Sequence, residues 1–290
     1  HDQTRRQRQM CIRDSVNAGF DPRSQSQMFQ ILQKSQSGIN EEYSYLFTHP
    51  IPKERITDAR IREENVDNQI NYRNSLEFYL VKARAEVYNS RNLNSLGDFY
   101  SNQKNNENKK IKLYKKYGLS LVLKEQKRYE EAFKAARELL QEIPSNLIFQ
   151  TNILEIHLAE GNSLEAISVG EKLLSVNSNN FSISYYLAKA YILDNNPEKA
   201  EEILINLSKE NPKDPSVWYE LAEAQGLSGN IIGLHRSRAE YFILTGRYDS
   251  AIFQLREGLK LSKNFFEIRE SIINKLEQIY KTKRALKDLT

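Results

Sequence analysis

The chain has 290 residues, 39% of them hydrophobic and 28% charged, enough to enclose a core in one extended domain or two compact ones. Its longest apolar runs, such as Leu119 to Leu123, are far too short to span a bilayer, and a net charge of +4 is small for a nucleic-acid binder of this size. Eleven glycines and seven prolines are few for an all-β chain, and the abundance of helix formers points to an all-α fold.

Residues 1–15 carry half of that charge, because Arg5, Arg6, Arg8 and Arg13 outnumber Asp2 and Asp14. The stretch has no apolar period and no signal-peptide core. It reads as a non-native leader rather than as a basic arm for nucleic acid or anionic lipid. Its Cys11 is the sole cysteine, so the rest of the chain offers neither a disulfide framework nor a thiolate zinc site.

Ala18-Gly19-Phe20-Asp21-Pro22 combines a glycine that ends one helix with an Asp-Pro that starts the next. A short helix is expected over Arg23 to Lys34, with Met28, Phe29 and Leu32 on one face. Ser35 to Ser44 is polar loop. Tyr45 to Pro52 must be extended, since Pro50 and Pro52 each push their predecessor out of the α region. Pro52 then opens a helix over Lys53 to Val66. A second amphipathic helix covers about Ile70 to Arg91, with Leu76, Leu80, Ala83 and Val87 on its inner face. Asn92 to Lys110, rich in Asn, Lys and Ser, reads as a flexible surface insert.

A repeat begins beyond it. Ala132, Ala166 and Ala200 are 34 residues apart, each preceded by a turn and an acidic first helical turn. Pro144 and Pro212 are two such periods apart. Leu119, Ile153, Leu187 and Leu221 mark one aliphatic register, and Gly161-Asn162, Asn195-Asn196 and Gly229-Asn230 mark the turns. This pattern resembles the tetratricopeptide repeat, a helix–turn–helix unit in which small alanines let the second helix approach the first. The next turn-plus-alanine, Gly246 to Ala251, comes 51 residues after Ala200, which is one and a half periods. Ile231 to Leu244 is therefore expected to close one repeat and open the next, with Ala239 and Phe242 in the small and aromatic positions. Asn264 to Leu286 reads as a capping helix.

The catalytic census is short. Of the four histidines none belongs to an H-E-x-x-H, and there is no phosphate-loop, dinucleotide or nucleophile-elbow motif. His157 and His235 fall inside repeat helices, where packing or surface roles are the rule. However, Val16 to Arg23, the Tyr45-Leu-Phe-Thr-His-Pro block and Glu54-Arg55-Ile56 together resemble the end of the zinc metalloendopeptidase domain of the HtpX and CAAX-prenyl-protease type. With helices and tetratricopeptide repeats behind it, the chain from about Val16 to Tyr280 resembles the beta-barrel assembly-enhancing branch of that family. The segments His235 to Tyr241 and Gly246 to Leu259 carry this resemblance at the far end.

The resemblance implies an all-α chain with a helical metalloprotease remnant followed by a tetratricopeptide-repeat solenoid. It divides the chain into the leader (1–15), the remnant (16–66), linking helices and insert (67–110) and repeats with a capping helix (111–290). It implies zinc-dependent proteolysis in an intact relative, with none of the three zinc ligands in this chain and no metal bound by it alone. It also implies a periplasmic location, with outer-membrane β-barrel precursors and their assembly machinery as partners. His49, on the stiff Thr-His-Pro loop, either gates or lines the zinc cleft of such a relative or braces its own loop. Arg55, one turn into the following helix, either pairs with a carboxylate near the cleft or is solvated. The rival reading is a stand-alone repeat adaptor for protein–protein interaction.

Stacked repeats present the first helix of each unit to a concave groove. Five residues into each unit stand Tyr117, Thr151, Tyr185 and Tyr219; nine residues in stand Leu121, Glu155, Lys189 and Glu223. Tyr117, Tyr185, Lys189, Tyr219 and Glu223 are thus the candidate peptide- or partner-binding residues, since phenols give contact area and a hydrogen bond at small entropic cost. The same tyrosines would equally suit half-buried seams between helices.

Overall fold

The computed structural model describes residues 21, 23–35, 56–57, 60–61, 74–102 and 107–287. The chain divides into two compact units, His1–Phe78 and Tyr79–Thr290. Every regular element among the described residues is a helix. In the first unit α1 spans Arg23–Ser35, as expected from its apolar spacing. Asp21 starts it by accepting from the Arg23 backbone N–H at 2.9 Å and pairing with the Arg23 guanidinium at 2.7 Å, which holds the carboxyl below its ordinary pKa.

Helix α2, Leu76–Asn89, leads into the second unit and buries Leu80, Ala83 and Val87 as their spacing requires. It starts later than expected because the Ser75 hydroxyl accepts from the Phe78 N–H at 3.2 Å and so stops the helix there.

The expected insert at 92–110 is corrected by a nine-residue helix, α3, Leu93–Ser101. Its cause is an Asn92 cap, bonded to the Ser95 N–H, together with Leu93, Leu96, Gly97 and Tyr100 at helical spacing. Tyr100 is fully enclosed. Its hydroxyl donates to Glu86 at 2.7 Å, and Lys115, itself buried, donates to the Asn102 carbonyl at 2.6 Å. Polar composition had disguised an amphipathic pattern.

The paired helices follow. They are α4 Lys109–Glu125, α5 Tyr129–Glu142, α6 Leu147–Glu160, α7 Ser163–Val176, α8 Phe181–Leu193, α9 Pro197–Glu210, α10 Pro215–Leu227, α11 Ile231–Leu244, α12 Tyr248–Leu261 and α13 Phe266–Lys287. The marker alanines Ala132, Ala166, Ala200 and Ala251 have no exposed surface; each lets the second helix of a pair close on the first. The cores are successive local clusters rather than one central mass, such as Leu187, Tyr191, Leu204 and Val217, then Ala251, Leu255 and Ile272. This is the nearest-neighbour stabilisation of a solenoid.

Backbone chemistry repeats with the sequence. Asn146, Asn180 and Asp214 cap the first helices α6, α8 and α10 through side-chain oxygens, whereas α5, α7 and α9 have no side-chain cap. The residue ending the turn after each first helix is left-handed: Lys127 (φ 61°), Gly161 (93°), Asn195 (56°) and Gly229 (80°), all 34 apart. Helix α11 has both first-helix features, an Asn230 cap bonded to the Gly233 N–H at 3.0 Å and Gly246 (φ 74°) beyond its end. It follows another first helix, so it packs as the second member of one pair and the first of the next.

Lys127 alone of these positions is neither Gly nor Asn. Left-handed backbone costs a Cβ-bearing residue about 1–2 kcal/mol, partly offset by the extra entropy glycine loses. Lys127→Gly is expected to raise stability by about 0.5–1 kcal/mol in urea unfolding, and Gly161→Ala to lower it by a similar amount.

Candidate protein-binding groove

The first helices α4, α6, α8 and α10 line a groove of about 390 Å³ with Lys124, Glu155, Leu158, Ala159, Tyr186, Lys189, Ile192, Leu193 and Glu220. Tyr186, Lys189 and Leu193 fall at i, i+3 and i+7 of α8, so one helical face supplies them. An apolar strip of Leu158, Ala159, Ile192 and Leu193 runs between charged walls.

Those walls are internally neutralised. Glu155, nearly buried, accepts two hydrogen bonds from the Arg84 guanidinium of α2 and one from Lys124 at 3.2 Å. Burial works against the Arg84 charge, but the Glu155 carboxylate outweighs it and leaves the guanidinium harder to deprotonate than usual. Lys189 pairs with Glu220 at 2.9 Å, and the Tyr185 hydroxyl donates to the same carboxylate at 3.3 Å. Burial, then the Glu155 charge, pushes the Tyr186 phenol up to about 12, so it stays a neutral donor. The arrangement is suited to non-covalent binding: fixed hydrogen-bonding groups flank a strip that takes apolar side chains.

The candidate residues separate. Lys189 lines the groove, and Tyr185 lies beside it, half-buried, with Lys189 over its ring at 5.7 Å and Phe181 stacked at 6.0 Å. Tyr117 has no exposed surface; its ring sits in the seam against Phe149 at 5.9 Å and beneath Arg84 at 5.8 Å, so it presents nothing to a bound chain. Tyr219 is 53% exposed, edge-on to Tyr241 at 5.6 Å, and Glu223 is exposed. His49 and Arg55 lie outside the described residues. Sequence reasoning passed over Tyr186 and Glu220, which share a register one residue beyond the tyrosine ladder, and Arg84, which precedes the repeats.

His157 packs its ring on Phe133 at 4.5 Å, and the His235 Nδ1–H donates to Gln254 Oε1 at 2.8 Å. Among the described residues no three His, Cys, Asp or Glu side chains are placed to share a metal ion. The described residues do not fit a zinc centre. Burial pushes His157 below its ordinary value of 6.5 despite Glu165 and Glu160, and Nδ1 finds no partner. The unfolded chain thus takes up a proton that the folded chain resists, so stability falls as pH drops below about 6.5. His157→Phe is expected to flatten that slope between pH 7 and 5 in thermal unfolding followed by circular dichroism.

The tetratricopeptide repeat family model matches residues 157–224, across α6 to α10. The fold is a tetratricopeptide-repeat solenoid. A solved tetratricopeptide repeat protein from Parabacteroides merdae aligns over 88% of this chain and 99% of its own, with a TM-score of 0.42 and 14% identity. The chain is similar to the beta-barrel assembly-enhancing protease of Escherichia coli K12, 30% identical over 236 residues, which is 81% of this chain and 48% of the relative. Its counterpart in Yersinia pestis is 27% identical over 83% of this chain and 49% of its own length. A putative one in Vibrio cholerae is 25% identical over 82% and 49%. The chain spans about half the length of the curated relatives it matches. No described helix is long and apolar enough to cross a membrane.

Proposed function

We propose that the chain is the partner-engaging repeat module of a periplasmic zinc metalloendopeptidase and chaperone that acts in quality control of outer-membrane protein assembly. The observation that carries this reading is the groove of four first helices in a chain related over four-fifths of its length to beta-barrel assembly-enhancing proteases. Unassembled barrel strands alternate apolar and polar side chains and expose unpaired backbone groups. The apolar strip takes the former, and the flanking Lys189, Tyr186 and carboxylates offer hydrogen bonds to the latter.

In such an enzyme zinc supplies an activated water for peptide hydrolysis. The repeats hold the polypeptide; His49 and Arg55 are assigned to the peptidase part by the resemblance alone. Fluorescence anisotropy with a labelled, urea-diluted outer-membrane barrel precursor tests the reading. Ala159→Glu with Leu193→Asp, both on exposed groove positions, should weaken binding at least tenfold while helicity is kept. Equal affinity would overturn it.

A further inference from the structure

The repeat register that supplies Glu155 and Lys189 to the groove carries a row of charges. Glu155, Lys189 and Glu223 are 34 residues apart, and Glu240 lies the half-repeat step of 17 beyond Glu223. Each end of the row is filled by a cation from a flanking helix: Arg84 of α2 on Glu155, and Lys275 of α13 on Glu240 at 2.7 Å. Lys189 is held by Glu220. Glu223 is exposed and pairs with no cation among the described residues, although Arg236 and Arg238 stand exposed on the neighbouring helix α11.

The surroundings of Glu223 are those of a cation seat. One turn before it is Tyr219, 53% exposed, and one turn after it is Leu227, 54% exposed. A carboxylate between a phenol and an aliphatic side chain matches the charged head and the methylene stem of a lysine or arginine. The chain itself shows the occupant: Arg84 lies over the Tyr117 ring and bonds Glu155. Tyr117 and Glu155 recur two repeats later as Tyr185 and Glu223, but Lys189 already covers the Tyr185 ring at 5.7 Å, so the ring beside Glu223 is Tyr219 of the same helix.

We propose that Glu223, flanked by Tyr219 and Leu227, seats a lysine or arginine side chain of a polypeptide lying in the groove. This rests on the groove reading and gives its partner a chemistry, a basic side chain in register with apolar ones.

The test measures binding of the full chain to three fluorescein-labelled twelve-residue peptides of alternating serine and valine, with a central lysine, glutamine or glutamate. The lysine peptide should bind at least fivefold more tightly than the glutamine peptide at low salt. That preference should vanish in Glu223→Gln and turn towards the glutamate peptide in Glu223→Lys. Tyr219→Ala should lower affinity severalfold for the lysine peptide only. Circular dichroism checks that these surface variants stay folded. If Leu193→Asp abolishes binding of all three peptides while Glu223→Gln leaves the lysine preference intact, the groove stands and the seat is wrong. If none of the peptides binds, both are wrong.

Discussion

Gly118→Ala is expected to destabilise the second unit by about 2–3 kcal/mol, although replacing a mid-helix glycine by alanine ordinarily gains up to about 1 kcal/mol. A Cβ at Gly118 would stand 2.3–2.6 Å from three ring carbons of Tyr100. That ring cannot swing aside. It has no exposed surface, lies edge-on to Tyr114 at 5.6 Å, and is tethered through its hydroxyl to Glu86. The overpacking term, with side chains forced off their rotamers, therefore exceeds the gain in helix propensity. The sign should reverse once the ring is removed: in a Tyr100→Ala background, Gly118→Ala should stabilise by about 0.5–1 kcal/mol. Thermal unfolding of the four proteins measures both. Stabilisation by Gly118→Ala alone would mean that α3 does not hold Tyr100 against α4.

Glu155→Leu should cost about 2–3 kcal/mol. The Glu155 side chain is only 4% exposed and joins α6 to Arg84 on α2 and Lys124 on α4. Removing it strands the Arg84 cation in a partly closed groove, whereas Lys124 keeps Glu125 at 3.3 Å. Losing one partner of a fully buried pair costs about 3–5 kcal/mol; the value here is lower because the Arg84 side chain is 37% exposed and can rehydrate. Replacing both partners removes the stranded charge, so Arg84→Met/Glu155→Leu should recover at least half of the loss. Urea unfolding gives the coupling directly; full additivity of the two changes would show that the pair does not tie α2 to the repeats.

The paired helices were legible because two periodicities coincide. The 34-residue recurrence of alanine and the 3.6-residue apolar stripe both demand the same pairs, and the half-period displacement of Gly246 and Ala251 placed α11 within its observed ends. What was missed either lacked a local signal or had one masked by polar composition. Lys127 adopts the left-handed turn because the flanking helices impose it, and a lysine announces no turn. Helix α3 is stabilised by one enclosed tyrosine and one buried lysine, contacts that its Asn- and Ser-rich composition does not reveal. In the groove, Lys189 could be found by counting residues along a repeat. The ion pairs that hold Glu155 and Glu220 could not, because Arg84 is 71 residues from its partner.

The proposed binding mode puts an extended polypeptide on the face of the first helices and not on the backs of the second. A photo-crosslinking residue placed in turn at Leu193, in the groove, and at Val176, 82% exposed at the end of α7, tests it directly with an unfolded outer-membrane barrel precursor. Strong crosslinks from position 193 that an unlabelled precursor competes away, with only background from 176, are the predicted result. Equal yields at the two positions, or more from 176, would contradict it.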